Sequence, residues 1–207
     1  METDDEQVEK LKQWWQENGR AVITGIVIGV GGLFGYRYWV DMKEATAEAA
    51  SAHFMEMVKA LEASNSNNII TQAETLISDY SDTEYAILAR FALARNFVEA
   101  DQFDKAQQQL KQIVGSTGTS PLAYLARKRL AAVQMQLASP EQALATLDVE
   151  FPQAFHAEVE ELKGDIYASQ GNLGEAASAY RKAQAGDPEP ANSQYIQQKI
   201  DDLGSAG

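Results

Sequence analysis

The chain of 207 residues has no cysteine and only two histidines, His53 and His156. Without cysteine there is no disulfide, no thiolate zinc site and no thiol nucleophile. Cysteine avoidance suits an oxidising compartment, although it also arises by chance. The two histidines lie 103 residues apart, which gives little support to a two-histidine metal site or a histidine-based triad. Ordinary helix positions account for them. Missing too are a GxGxxG after a strand, a GxxxxGK[ST] loop and a GxSxG turn. No segment sustains the apolar–polar alternation of a strand, so a β-rich fold is excluded. Positive charge is scarce, with 17 Lys and Arg against 30 Asp and Glu and a formal net charge of −13. Beyond residue 40 the balance is 13 against 24, or −11. A surface so acidic repels phosphate backbones, which argues against nucleic-acid binding. The carboxylates are spread along helix faces as on solvated surfaces. No enzyme, no metal site and no cofactor is expected.

What the chain does have is a 45% apolar fraction, 9% aromatics and one long apolar run. ITGIVIGVGGLFGYRYW occupies residues 23–39. From Ala21 to Tyr36 there is no charged side chain, and with Arg37 reaching outwards the run extends to Val40. Twenty helical residues at about 1.5 Å each span about 30 Å, the thickness of a bilayer core. Trp14 and Trp15 precede it, and Arg37, Tyr38 and Trp39 close it as interfacial anchors. A buried core helix would seldom carry five glycines, each costing about 1 kcal/mol relative to Ala. A cleaved signal peptide is disfavoured because METDDEQVEK lacks a basic cluster and because Arg37, Asp41 and Lys43 separate the run from the small-residue triplets at 45–47 and 50–52. A retained signal anchor remains. Lys10, Lys12, Arg20 and the terminal amine against Arg37 and Lys43 incline the N-terminus towards the cytoplasm. Gly25 and Gly29 are four apart, as are Gly31 and Gly35, a spacing that lets another membrane helix approach. Simple tolerance of glycine in membrane helices explains it equally well.

The remainder reads as helix. No Gly or Pro lies between Tyr36 and Ser64, so a soluble helix continues from the span and ends near Leu61, with SNSNN (64–68) as the turn. Four alanines then recur in similar settings: Ala73, Ala106, Ala143 and Ala176, at spacings of 33, 37 and 33. These lie near the 34-residue period of tetratricopeptide repeats. Small residues upstream (Ala94, Ala131, Gly164) let paired helices close, and the residue four after each key alanine (Ile77, Leu110, Leu147, Tyr180) fills the space between pairs. The fourth unit, ELKGDIYASQGNLGEAASAYRKAQAGDPEP, fits best, with Pro188 ending it. The third carries Gln134 where an aromatic is usual, and the first, with Met57, Ala60 and Leu61, is degenerate. ANSQYIQQKIDDL (191–203) reads as a capping helix.

The fold expected is all-α: a single N-terminal transmembrane helix, then a tetratricopeptide-like α-solenoid of about three to four helix pairs with a C-terminal capping helix. The divisions are a short acidic cytoplasmic tail (1–20), the transmembrane helix (21–40), a membrane-proximal helix (41–62) and the repeat domain (63–207). On the concave side, Phe91, Arg95, Lys128, Met135, Glu161 and Asp165 form a candidate partner groove for extended segments or a partner's tail. Equally, they could be plain surface residues.

WWQENG before the span, GYRYW at its end and an acidic repeat domain behind it resemble, over nearly the whole chain, the YfgM family of ancillary subunits of the bacterial Sec translocon. The resemblance implies a single-pass inner-membrane protein with a cytoplasmic N-terminus and a periplasmic C-terminal domain. It implies as partners the Sec translocon subunits, a membrane-anchored periplasmic chaperone, exported polypeptides handed on to that chaperone, and a cytoplasmic stress-response regulator at the N-terminal tail. A second hypothesis is a self-associating tetratricopeptide scaffold for another cell-envelope complex, assembled through the glycine stripe.

Overall fold

The computed structural model describes residues 4–186 and 190–205; Pro188 lies outside them. Among the described residues there are nine α-helices and no strand: α1 (Asp4–Glu62), α2 (Ser66–Asp79), α3 (Glu84–Glu99), α4 (Phe103–Thr117), α5 (Pro121–Gln136), α6 (Pro140–Thr146), α7 (Gln153–Ser169), α8 (Leu173–Gln184) and α9 (Ser193–Ser205). They fall into two compact units, Met1–Ala50 and Ser51–Gly207.

The first unit is helical throughout its described residues. With no proline to remove a donor, the glycine-rich run stays in the helix, since each backbone N–H still finds its carbonyl four residues back. Its apolar side chains have no protein to cover them: Ile28, Leu33 and Phe34 are 69%, 71% and 72% exposed. In the window apolar enough to cross a membrane only 6% of residues are buried.

The second unit is built from hairpins. The end of α1 pairs with α2, α3 with α4, α5 with α6 and α7 with α8, and α9 follows as the cap. The outer helices α2 and α4 bury one stripe each, Ile69/Ala73/Leu76 and Ala106/Leu110/Ile113. The inner helix α3 is enclosed on more sides and buries seven residues, including Phe91, Leu93 and Asn96. The core is a row of clusters, one centred on Phe91, Leu110, Ile113 and Leu130, the next on Leu147, Phe151 and Ile166, and the last on Tyr180 and Ile196.

The four hairpin turns are alike in backbone. Each holds one residue at positive φ: Ser64 (50°), Asp101 (56°), Ala138 (52°) and Gly171 (76°). At each, the next residue's N–H donates to the carbonyl five back: Asn65 to Ala60 (2.8 Å), Gln102 to Phe97 (2.7 Å), Ser139 to Gln134 (2.9 Å) and Asn172 to Tyr167 (2.9 Å). This is the Schellman closure of a helix end. It also sets the repeat register. Five residues after each left-handed position come Ile69, Ala106, Ala143 and Ala176, each donating to the first residue after its turn at 3.0–3.1 Å. The true spacings are therefore 37, 37 and 33, and the register expected at Ala73 is one helical turn too late. The left-handed turn at Ser64 sets it, and α2 begins two residues later, as α4, α6 and α8 do after their turns. The Asn65 side chain accepts from the Asn68 N–H at 3.2 Å, and most of SNSNN is helix instead of turn.

In this register, paired positions on the two helices of each hairpin are Met57/Ala73, Ala94/Leu110, Ala131/Leu147 and Gly164/Tyr180, all buried. Each pair sets a large residue on one helix and a small one on the other; Gly164 lies against the Tyr180 ring, Ala94 and Leu110 share one core cluster, and Ala131 and Leu147 share the next. The first hairpin has the pair reversed. Ile77, expected to fill that space, is only half-buried, and Leu76 is fully enclosed. Gln134 is 3% exposed, and its Oε1 accepts from Thr146 Oγ1 at 2.8 Å, which is how a polar group stands in the aromatic's place without an unmade hydrogen bond.

Candidate partner groove

Within the second unit a cavity of about 1160 Å³ opens between α5, α7, the end of α8 and residues 190–192. Its apolar lining is mostly small: Ala132, Ala154, Ala157, Ala185 and Ala191, with Leu162. Ala132, Ala154 and Ala157 keep the helix propensity of α5 and α7 high while leaving room for a guest backbone or side chain. Its rim is charged, with Lys128, Arg129 and Lys182 against Glu158, Glu161 and Asp165. Glu158, Glu161 and Asp165 recur at intervals of three and four along α7 and so share its inward face. Lys128 pairs with Glu158, and the Arg129 guanidinium sits 5.0 Å over the Phe91 ring.

One end of the cavity is tied by a dense polar cluster. Lys199 Nζ, on α9, donates to Glu161 Oε1 at 2.8 Å and to Asp165 Oδ1 at 2.7 Å. Asn192 Nδ2 donates to Glu161 Oε2 at 2.8 Å, and Tyr180 Oη donates to Asp165 Oδ1 at 2.7 Å. The ammonium also lies over the rings of Tyr180 (5.4 Å) and Tyr195 (4.9 Å). Burial, then the hydrogen bond to Asp165, push the Tyr180 hydroxyl well above its ordinary value. For Lys199 burial works against the charge, but the bonds to Asp165 and Glu161 outweigh it and hold the amine higher than usual.

Of the six residues expected in the groove, Lys128, Glu161 and Asp165 line the cavity. The other three do not. Phe91 is 7% exposed and belongs to the core beneath Arg129, because α3 is enclosed on the face that carries it. Arg95 is exposed and pairs with Glu99 at 2.7 Å along its own helix. Met135 is half-buried against the Leu147 and Phe151 cluster. Glu158, Arg129, Asn192 and Lys199 were not singled out from sequence. The i, i+3, i+7 spacing of Glu158, Glu161 and Asp165 was a usable signal for the first; nothing in the sequence relates Lys199 to residues 34 and 38 positions earlier.

In the first unit, an added Cβ at Gly25, Gly29, Gly31 or Gly35 would meet nothing within 4 Å, so these faces are open. Trp14 and Trp15 are about half exposed with ring centroids 6.5 Å apart; Trp39 stacks near Tyr36 at 6.2 Å and lies beneath Lys43 at 5.1 Å. Tyr38 and Arg37 are exposed. The histidines are engaged structurally: His53 Nδ1 bonds Gln72 Oε1 at 2.8 Å, and His156 Nε2 bonds the Phe151 carbonyl at 2.6 Å. Among the described residues no group of three or more His, Asp or Glu is placed to hold a metal ion.

A helix able to cross a membrane, joined in one chain to stacked helical hairpins, defines a tetratricopeptide-like repeat protein. The profile of the tetratricopeptide repeat-like domain matches residues 12–205. The chain is 35% identical over 202 residues to the ancillary SecYEG translocon subunit of Escherichia coli K12, covering 98% of this chain and 97% of that one. It is 31% identical to the protein of the same name from Haemophilus influenzae, covering 87% and 88%. The solved MamA protein shares the fold at 16% identity and a TM-score of 0.61, covering 76% of this chain and 81% of that one. The chain belongs to the YfgM family of ancillary SecYEG translocon subunits.

Proposed function

We propose that this protein is a membrane-anchored adaptor at the SecYEG translocon, without catalysis, whose groove receives segments of emerging polypeptides and helps pass them to a membrane-anchored periplasmic chaperone. Residues 21–40 are the anchor in the bacterial inner membrane, residues 1–20 are cytoplasmic, and the repeat domain is periplasmic. The acidic tail is then the part within reach of a cytoplasmic stress-response regulator. The observation that carries this reading is full-length similarity to ancillary translocon subunits in a chain whose repeat unit holds an alanine-lined cleft of about 1160 Å³. A cleft of that size accepts a few side chains of an extended segment, and its rim is polar enough to release them.

Photocrosslinkers placed at Leu33 and at Ala157 in native membranes test it. Leu33 should capture SecYEG subunits, and Ala157 should capture nascent exported chains or the chaperone. A clean negative at both positions would remove the translocon reading. The open glycine faces favour one second reading, a self-associating scaffold; homodimers lost in Gly25→Leu/Gly29→Leu with translocon capture unchanged would support it.

A further inference from the structure

The groove's charges are nearly all answered within the protein, and one residue answers two of them. Lys128 pairs with Glu158, and Lys182 approaches Glu160 at 3.9 Å. Glu161 and Asp165, whose side chains are 17% and 41% exposed, would face the cavity as two uncompensated carboxylates but for Lys199, itself 18% exposed. Lys199 does not line the cavity. It reaches the carboxylates from α9, held there by the apolar seat of that helix, where Ile196 is fully buried and Ile200 and Leu203 pack against the same cluster. Asn192 and Tyr180 occupy further lone pairs of the same two groups. A guest in the cleft therefore meets small side chains and two carboxylates already bonded by Lys199, Asn192 and Tyr180.

We propose that Lys199 sets the charge preference of the groove: by neutralising Glu161 and Asp165 it makes the cleft a site for uncharged, apolar-rich polypeptide segments and keeps it from selecting basic ones. This rests on the groove being the partner site. Removing the ammonium exposes two carboxylates to the guest, so lysine-bearing segments gain. Removing the carboxylates leaves a lone ammonium, so acidic segments gain. The two changes act in opposite directions, which loosening of α9 cannot imitate.

The test uses the full chain in lipid nanodiscs and labelled peptides of one Ala/Leu/Ser sequence carrying two lysines, two glutamates or neither, read by fluorescence anisotropy. The wild type should bind the neutral peptide at least as tightly as either charged one. In Lys199→Met the ratio of affinities for the lysine and glutamate peptides should move about tenfold towards lysine, and in Glu161→Gln/Asp165→Asn about as far towards glutamate. Lys199→Arg should restore the wild-type ratio. If peptides bind the wild type but both variants keep its ratio, or shift it in one direction, the role given to Lys199 is wrong and the groove reading stands. If no peptide binds the wild type, both fall.

Discussion

Gly164 shows how one atom decides a repeat. A Cβ there would stand 2.4 Å from two carbons of the Tyr180 ring, and that ring is itself held by the bond from its hydroxyl to Asp165. Ordinarily Gly→Ala inside a helix stabilises by about 1 kcal/mol. At Gly164 the sign reverses: Gly164→Ala should destabilise by about 1–3 kcal/mol, measured by denaturant unfolding. Ala138 is the converse case, an alanine at φ 52° where three other turns tolerate the same backbone. Ala138→Gly relieves a Cβ clash and should stabilise by about 1 kcal/mol; a neutral or negative result would mean the turn is not strained. Tyr180 and Lys199 both hold their protons longer folded than unfolded, from ordinary values of 10.0 and 10.5. Their contribution is intact below about pH 10 and falls as pH rises through the folded values. The melting temperature should therefore drop above about pH 10, more shallowly in Tyr180→Phe; equal slopes would show that the hydroxyl contributes nothing.

Among the elements, the hairpins were legible in proportion to how closely they obey the small-then-large rule. Ala94, Ala131 and Gly164 on inner helices face Leu110, Leu147 and Tyr180 on outer ones, and all six were visible as a recurrent pattern. In the first hairpin Met57 and Ala73 carry the same summed bulk with the helices exchanged, so matching residue types pointed one turn away from the true register. Met57→Ala should cost about 2–5 kcal/mol by opening a cavity, and Met57→Ala/Ala73→Leu should recover roughly half of that in the same unfolding measurement. No recovery would mean the two positions do not compensate each other. α9 was legible as a cap because it follows the last repeat, but its bonds to α7 were not.

At the scale of the whole molecule, charge and hydropathy divide the chain. A 20-residue apolar run lies in a helix long and apolar enough to cross a membrane, and the chain beyond residue 40 carries −11. The full chain should resist alkaline carbonate extraction, and a chain lacking residues 1–40 should leave the membrane fraction; extraction of the full chain would remove the anchor. The groove belongs to this scale too. Phe91 was expected in its lining but lies in the core, because a helix face is inner or outer according to which neighbours enclose it, and α3 is enclosed where Phe91 lies.

The sequence by itself determined the helical class, the membrane-length apolar helix, the cap and the repeat period, because these follow from periodicities and composition within a few turns of chain. Only the tertiary structure decided the register of the first repeat and the cluster of Lys199 with Glu161 and Asp165. A left-handed turn at Ser64 and an ion pair across 34 and 38 residues arise from how packed helices meet, and no local pattern encodes that meeting.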